Sequence, residues 1–361
     1  MVKRSKQSRR VGILTFHRSC NFGSILHTWG LHHALTQIGH QPVILDYVAP
    51  IKQWLRYYTW LFMRNPVDRA WQLAKFRAFL RRNLTLSPRL RNVFDLQEAV
   101  SKLDIAMIGG DQVWNSYAME FSDPFLLRFQ IPAGVKRVSY GSCFGRDDQP
   151  AEIEERIGSS LSAFDCLAVR NVMSQQMVRR ICGREAMLVV DPTLLVDFDE
   201  VTPNGDLGKG AIVFYHLSMH SGPMQELKSS LQAEMRLPLL SVSCYSQFYG
   251  ADKWAWGVGP GEWLSLFRNA ECILTESFHG AIFAIKNRKP FLVYSRQNSP
   301  ARFRIASLLD RYGLGDRLIS RTEDATGTRM MSPIDYDRVH IAIREDVAAS
   351  YSYLREAVDP K

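Results

Sequence analysis

The sequence predicts an α/β protein built from two doubly wound, Rossmann-like domains that face a cleft. Three observations support this fold class. The chain of 361 residues exceeds the usual size of one domain. Short apolar runs of strand length alternate with helical stretches, which is typical of parallel sheets. A polar stretch that contains glycine and proline, residues 197–210, divides this alternation into two sets.

The first domain is predicted over residues 1–197. It opens with a buried strand at 11–16, a helix that ends at Gly39 and a second strand at 42–47, which together form a βαβ unit. Its remaining strands are expected at 105–108, 137–140, 166–169 and 187–190. The domain carries a basic, aromatic helical insertion at about residues 51–100.

The second domain is predicted over residues 198–361, with a C-terminal helix that packs back on the first domain. Its strands are expected at 211–215, 239–242, 272–274 and 291–294. Ligands of doubly wound sheets bind beyond the carboxyl ends of the strands, which is where the polar motifs of this chain lie.

The net charge of +9 is concentrated in two segments. The first ten residues carry five positive charges, and residues 51–83 carry eight against one negative charge, interleaved with aromatic side chains. The second segment fits either a solvated helical face or a peripheral contact with anionic lipid headgroups. No nucleic-acid-binding motif accompanies it, so we expect no nucleic acid partner.

Cysteine usage and hydropathy indicate the compartment. The six cysteines are scattered and include no Cys-x-x-Cys pair, which favours a reducing cytoplasm over a disulfide framework or a zinc site. No apolar run is long enough for a membrane-spanning helix. We therefore expect a cytoplasmic protein, located at the inner face of the cell membrane if the basic segment contacts lipid.

One histidine lies where an apolar strand gives way to an apolar helix. Ser277 is a candidate N-cap of that helix, which places His279 in its first turn, ahead of Gly280. Backbone N–H groups in a first turn favour an anion, and a histidine beside an anion can donate a proton to a phosphorylated substrate. The alternative is a histidine that only packs or caps.

Other polar motifs also follow predicted strands. Gly-Asp-Gln-Val-Trp-Asn at 110–115 contains Asp111, which can accept a hydroxyl proton or orient a sugar. Asn-Phe-Gly-Ser at 21–24 is a tight turn into a helix and a candidate anion cradle. Arg170 follows a strand, and Arg302 and Arg304 open a helix; arginine forks match carboxylate and phosphate oxygens. Each of these motifs, taken alone, fits a structural role as well as it fits a functional one.

Taken in chain order, these motifs resemble the polysaccharide pyruvyl transferase family. The resemblance extends from Gly12 to about Leu318 and rests above all on the blocks at 110–115 and 277–280. Further matching stretches lie at 12–14, 21–26, 169–170, 191–195, 289–291, 301–309 and 314–318. The resemblance implies a two-domain fold like that of the GT-B glycosyltransferases, with the acceptor on the side of the first domain and the donor on the side of the second.

The implied reaction moves pyruvate from phosphoenolpyruvate onto two hydroxyls of a sugar, which forms a pyruvyl ketal and releases phosphate. The acceptor would be an exopolysaccharide, a cell-surface glycan or its lipid-linked oligosaccharide precursor. Phosphoenolpyruvate is then a substrate, and neither a cofactor nor a metal is expected.

This reaction and the matching motifs suggest a role for each candidate residue. His279 is the proposed acid, and Asp111 is a base or hydroxyl orienter, with His17 as an alternative base. The residues expected to bind the donor are Arg170, Arg302, Arg304, Lys289, Ser277 and Gly280. The residues expected on the acceptor side or in the cleft are His17, Asn21, Gly23, Gly110, Gln112, Trp114 and Asn115.

Two positions depart from the family pattern. Ser277 stands where many members carry arginine, and Asn171 stands where many carry an acid after the strand-end arginine. Donor binding would then depend on the remaining cations. Two other functions stay open: a GT-B glycosyltransferase that uses a nucleotide sugar, and a non-catalytic, membrane-associated partner of a polysaccharide assembly complex.

Overall fold

The structure is a computed structural model that describes residues 8–47, 66–118, 121–217, 221–244, 250–299 and 302–359. These residues form two parallel sheets with helices between their strands, which confirms the predicted α/β class. Residues 51–65 of the predicted basic insertion lie outside the described residues.

The first sheet comes from the first half of the chain. Its strands are β1 (Arg10–Leu14), β2 (Gln41–Ile44), β3 (Ile105–Gly109), β4 (Lys136–Tyr140), β5 (Ala168–Val169) and β6 (Met187–Leu188). The first four pair in parallel in the order β2-β1-β3-β4; isolated bridges connect the β4 region to the β5 region, and β5 pairs with β6. The chain moves from β1 to β2 on one side and then to β3 on the other, so a topological switch point lies between β1 and β3.

The second sheet comes from the second half of the chain. Its strands are β7 (Ile212–Tyr215), β8 (Leu239–Val242), β9 (Lys253–Trp254), β10 (Cys272–Thr275), β11 (Phe291–Tyr294) and β12 (Leu318–Ile319). They pair in parallel in the order β12-β11-β10-β7-β8-β9, which places the switch point between β7 and β10. The sequence pattern did not predict β9 and β12, because two-residue edge strands show no periodicity.

Twelve α-helices lie among the described residues. They are α1 (Phe22–Gln37), α2 (Pro66–Asn83), α3 (Val93–Ser101), α4 (Ala151–Leu161), α5 (Val172–Cys182), α6 (Pro192–Leu195), α7 (Ser221–Met235), α8 (Pro260–Asn269), α9 (Phe278–Lys286), α10 (Arg302–Arg311), α11 (Gly327–Met331) and α12 (Tyr336–Val358). None of these helices combines the length and the apolar character that crossing a bilayer requires.

Helix α1 shows how local sequence sets the helix ends. Asn21 is its N-cap, and the Asn21 side-chain oxygen accepts a hydrogen bond from the Ser24 amide at 3.1 Å. The helix stops before Gly39, whose φ of +92° is readily adopted only by glycine. The capped first turn of α1 therefore begins directly after the β1 loop.

The two halves of the chain pack directly against each other. One buried apolar cluster contains Val11 of the first sheet and Val213 of the second. Phe76 of α2 belongs to the same cluster, and Lys75 of α2 forms an ion pair with Glu262 of α8 at 2.6 Å. Helix α2 thus bridges the halves while its other face meets solvent.

Helix α12 also reaches the first sheet. The Tyr353 hydroxyl donates to the carbonyl of Ser139 at 2.7 Å, and the Val190 amide donates to the Ser350 hydroxyl at 2.9 Å. These contacts attach the C-terminal helix to strands of the first half and help to fix the face on which the two sheets meet.

Candidate active site

Six polar side chains meet where the carboxyl ends of strands from the two sheets face each other, and we call them the ionic cluster. The cluster consists of His27, Asp111, Arg170, Asp191, His279 and Arg304. Four members follow strands: Asp111 follows β3, Arg170 follows β5, Asp191 follows β6 and His279 follows β10. Helix α1 supplies His27, and helix α10 supplies Arg304. The cluster therefore lies beside the switch points of both sheets, where doubly wound folds bind ligands.

Two arginines hold the Asp111 carboxylate. Arg170 bonds Asp111 Oδ1 through Nη2, and Arg304 from the other half bonds the same oxygen through Nη1 at 3.0 Å. Burial raises the pKa of Asp111, but the charges of the two guanidiniums outweigh burial and hold that pKa well below its usual value. The two guanidiniums fix the Asp111 carboxylate in place, and its roles as a base or as a hydroxyl orienter both stay predictions.

Arg170 links the two acids of the cluster. Its Nη1 donates to Asp191 Oδ2 at 2.5 Å while its Nη2 bonds Asp111, and its guanidinium lies over the Phe278 ring at 4.6 Å. Burial lowers the pKa of Arg170, and the neighbouring carboxylates more than reverse that effect. A cation this deeply buried and fixed is suited to bind a substrate anion in a defined orientation.

His279 lies in the first turn of α9, as the sequence predicts, and is almost completely buried. Its Nε2 is 3.5 Å from Asp191 Oδ2, and its Nδ1 edge faces Gly23 in the first turn of α1. A Cβ at Gly23 would overlap Nδ1, and a Cβ at Gly280 would lie 2.9 Å from the Cβ of Thr275. Glycine at 23 thus allows α1 to approach the histidine, and glycine at 280 allows α9 to pack against the end of β10.

The ring nitrogens and the carboxylate also resemble a metal donor set. One ligand-type atom from each of His27, Asp191 and His279 lies within 4.8 Å of the others. However, Asp191 Oδ2 already accepts from Arg170 at 2.5 Å, and a guanidinium at this distance would repel a divalent ion. We therefore do not identify these residues as metal ligands.

A cavity borders the ionic cluster on the side of α10. It has a volume of about 330 Å³, and Arg170, Arg304, Phe278 and residues of α10 are among its lining groups. Most of its exposed wall is apolar. This volume is within the range of small-molecule sites, and Arg170 and Arg304 are the lining cations that belong to the ionic cluster.

Two residues predicted to bind the donor lie away from the ionic cluster. Lys289 follows the C-terminal end of α9, whereas His279 is in the first turn, and a nine-residue helix separates these ends by roughly 13 Å. Arg302 donates through Nη1 to the Ser295 carbonyl at 2.8 Å. Neither the position of Lys289 nor the contact of Arg302 brings these cations to Asp111 or Asp191.

The two positions that depart from the family pattern are both helix N-cap positions. Ser277 is the N-cap residue of α9 as predicted, but its hydroxyl makes no capping bond within the described chain, and its amide donates to Thr275 Oγ1 at 3.0 Å. Asn171 caps α5, because its Oδ1 accepts from the Ser174 amide at 2.8 Å.

The block at 110–115 forms a tight turn after β3. Gln112 adopts a left-handed φ of +56°, and its side-chain oxygen accepts from Asn115 Nδ2 at 2.8 Å. A Cβ at Gly110 would lie 2.8 Å from Thr15 Oγ1, so this glycine allows the β1 and β3 loops to approach. Trp114, expected in the cleft, is instead fully buried in the apolar core, because the turn directs it beneath the sheet edge against Phe144.

His17 belongs to a separate ionic group after β1 and β2. Its Nε2 is 3.0 Å from Asp46 Oδ1, and Arg18 bonds both oxygens of the same carboxylate. Burial raises the pKa of Asp46, but the bonds from Arg18 and His17 hold it well below its usual value. His17 contacts no member of the ionic cluster directly, and its role as an alternative base stays a prediction.

Two members of the ionic cluster were absent from the predicted site. Asp191 was visible only as a strand-ending Asp-Pro-Thr, and His27 lies in an apolar helix. A signal for His27 exists, since Gly23, His27 and Gly30 recur at helical spacing on one face of α1. A Cβ at Gly30 would lie 2.5 Å from the Pro192 carbonyl, so this face packs directly on α6.

Comparisons with known proteins agree with this architecture. The family model described as polysaccharide pyruvyl transferase matches residues 21–298. No curated protein sequence matches the chain.

Several solved structures share the fold at low sequence identity. Arabidopsis thaliana UGT89C1 complexed with UDP-L-rhamnose is 12% identical, with a TM-score of 0.57 and coverage of 98% of each chain. The Methanocaldococcus jannaschii UDP-GlcNAc 2-epimerase in complex with UDP-GlcNAc and UDP is 13% identical, with a TM-score of 0.53 and coverage of 93% of this chain and 98% of the epimerase. These likenesses confirm the predicted GT-B-like fold.

Proposed function

The chain belongs to the polysaccharide pyruvyl transferase family, and on this premise we propose that it transfers the pyruvyl group of phosphoenolpyruvate onto two hydroxyls of a glycan sugar. Family membership supports the pyruvylation of a polysaccharide in general terms. The observation that carries the finer proposal is the meeting of His279 with Arg170 and Arg304 at the facing strand ends.

The charges of the cluster suit an anionic donor. Phosphoenolpyruvate carries about three negative charges, and fixed guanidiniums bind phosphate and carboxylate oxygens through two-pronged bonds. Arg304 bonds Asp111 through Nη1, and its Nη2 bonds none of the described residues. The donor would therefore bind with its anionic groups toward Arg170 and Arg304 and its methylene carbon toward His279.

The atoms and charges of the reaction balance when one residue, His279, gives a proton and later regains one. His279 gives a proton to the methylene carbon, and the electron pair of the double bond forms the new C–H bond. The two hydroxyl oxygens then add in turn to C2, and the C–O bond to phosphate breaks. One hydroxyl proton restores His279, and the other leaves on hydrogen phosphate, so the charges of donor and products are equal.

The acceptor and the location are proposed from the surface of the first half. A cell-surface glycan or its lipid-linked precursor is the acceptor class that fits pyruvylation of polysaccharide. On α2, Trp71 is 64% exposed, and Arg81 and Arg82 near the helix end are also exposed. A tryptophan followed by cations matches an anionic bilayer surface, so we propose peripheral contact with the inner face of the cell membrane.

The donor chemistry needs neither a redox cofactor nor a metal, since protonation by His279 makes C2 electrophilic. We therefore propose that turnover persists in excess chelator. Loss of phosphate release on addition of a chelator, and its recovery with a divalent metal, would contradict this part of the proposal.

A nucleotide-sugar glycosyltransferase is the second candidate, because two of the similar structures hold UDP or UDP-sugars. The deciding experiment compares donors. We expect phosphoenolpyruvate, and not a UDP-sugar, to raise the Tm of the protein and to yield phosphate and glycan with the added mass of a pyruvyl ketal. Protection by the UDP-sugar alone would favour the second candidate.

A matched pair of arginine variants tests the donor site. Arg304→Ala removes a cation of the ionic cluster and should weaken phosphoenolpyruvate binding about 10- to 150-fold, the worth of roughly 1.5–3 kcal/mol for charged hydrogen bonds. Arg302→Ala, two residues away on the same helix, removes a guanidinium that bonds the Ser295 carbonyl instead and should leave binding within about threefold. Calorimetric titration measures both, and equal losses would remove Arg304 from its assigned role.

A further inference from the structure

Asp191 is the most completely fixed acid near His279. Its Oδ1 accepts from both the Thr193 amide at 2.9 Å and the Thr193 hydroxyl at 2.6 Å. Because Thr193 holds Oδ1, the other oxygen, Oδ2, keeps a constant position relative to the rings of His27 and His279. Asp191 is also the N-cap of α6, which places the carboxylate at the positive end of a backbone turn.

Two imidazoles share Oδ2. His27 Nδ1 lies 3.2 Å from it and His279 Nε2 lies 3.5 Å from it, and the ring planes are 89° apart. The perpendicular rings let both nitrogens approach one oxygen without contact between them. Burial raises the pKa of Asp191, but the two histidines hold it well below its usual value, so the carboxylate is ionised across the working pH range.

The ring of His279 therefore has two unlike edges. Its Nε2 is fully buried and faces Asp191, so no substrate can reach it. Its Nδ1 points to the first turn of α1 and occupies the place that a Cβ at Gly23 would take. The contact places this edge of the ring at the N-terminal end of α1, where the helix dipole favours an anionic group.

We propose that Asp191 is the positioning residue for His279: its Oδ2 accepts from Nε2–H and thereby makes Nδ1 the nitrogen that transfers the proton. The separation of 3.5 Å is longer than an ideal hydrogen bond, and such bonds commonly tighten when substrate binds. Arg170 Nη1 and His27 Nδ1 also bond Oδ2, and together they limit the movement of the carboxylate. This inference rests on the proposed function, since it assigns the acid of that reaction.

The proton route follows from the assignment. The Nδ1–H bond breaks as the C–H bond to the methylene carbon forms, and Nδ1 is left with a lone pair. Nε2–H stays with Asp191 throughout, so the neutral ring is held in one tautomer. A hydroxyl of the acceptor, on losing its proton to Nδ1, restores the starting state.

The tautomer can be read without any activity. In protein labelled with ¹⁵N-histidine, long-range ¹H–¹⁵N correlation distinguishes Nε2–H from Nδ1–H rings, and His279→Gln identifies the signal. At a pH where the ring is neutral, we expect His279 to be the Nε2–H tautomer. In Asp191→Asn we expect the tautomers to mix or reverse. A wild-type ring in the Nδ1–H form would overturn the proposal even if pyruvyl transfer is established.

Steady-state measurements of kcat and KM provide a second test of the proposal. Asp191→Asn should lower kcat about 10²–10⁴-fold, the usual worth of a positioned acid. Because Asp191 also bonds Arg170, this variant can disturb folding, and Thr193→Val is the gentler test. Thr193→Val removes the hydroxyl bond to Oδ1, keeps the bond from the amide and removes no charge, so it should lower kcat roughly tenfold with KM for phosphoenolpyruvate within about threefold. An unchanged kcat in a folded Asp191→Asn protein whose His279 tautomer is also unchanged would overturn the assignment, whereas a wild-type protein that forms no ketal would refute the proposed function alone.

Discussion

Replacing Gly23 by alanine tests the contact on which the candidate site depends. Gly23 is the second residue of α1, and a Cβ there would lie 2.9 Å from His279 Cε1 and closer still to Nδ1 and Cγ. Carbon atoms in ordinary contact are about 3.5–4.0 Å apart. The ring or the start of α1 must therefore move by roughly 1 Å, because three ring atoms are too close to be relieved by a small rotation.

That displacement predicts a large loss of rate with little loss of stability. A misplacement of about 1 Å of a catalytic group can cost about 10²-fold in rate. Alanine is a better helix former than glycine by up to about 1 kcal/mol, which offsets part of the strain from the clash. We therefore expect kcat to fall by about 10²-fold while the Tm changes by a few degrees at most.

The matched control is Gly222→Ala. Gly222 is also the second residue of its helix, α7, but a Cβ there would meet open space. The assay measures phosphate release from phosphoenolpyruvate and the Tm on the same preparations, and the control should keep the wild-type rate. Full activity in folded Gly23→Ala protein would refute the reasoning, because it would mean that Nδ1 and the first turn of α1 need not be in register for turnover.

Three further predictions concern other parts of the protein. His279→Gln should reduce phosphate release about 10²–10⁴-fold while donor binding and Tm are largely kept; normal turnover per folded molecule would end its assignment as the acid. Reversing Arg81 and Arg82 to Glu should abolish salt-sensitive binding to anionic vesicles and leave the reaction with a soluble acceptor unchanged; vesicle binding that ignores salt and these charges would contradict the membrane contact. The pKa of Asp46 is lowered in the folded state, so its stabilisation is present above the unfolded value of about 4 and is lost as the pH falls. Asp46→Asn should thus lower the Tm at pH 7, and the gap to wild type should close in acid; a gap that is constant with pH would contradict the ion pair.

The sequence could predict most of the fold because its signals are local. The strand β10 and the helix α9 are separated by a polar residue at the N-cap, and this pattern places His279 in a first turn whatever the rest of the chain does. The same reasoning places Asp111 and Arg170 after strands. Parallel strands then bring their carboxyl ends to one edge, so it was predictable that these residues would be near a common site.

Two residues predicted for the site lie away from the ionic cluster, one because of the direction of its side chain and one because of its distance along a helix. Trp114 lies within a polar loop in sequence, yet the left-handed turn at Gln112 directs its ring into the core. Lys289 is near His279 in sequence, yet α9 carries it to the opposite end of the sheet. A one-dimensional pattern contains neither the direction of a side chain after a turn nor the displacement along a helix.

By itself, the sequence determined the α/β class, the strand-end positions of His279, Asp111 and Arg170, and the family of the chain. Only the tertiary structure decided which groups face the histidine. His27 and Asp191 are separated by 164 positions, and they meet because α1 packs on α6 through small residues. A buried carboxylate takes whatever donors the packing of helices and sheets brings to it, and that packing depends on all of the apolar contacts together.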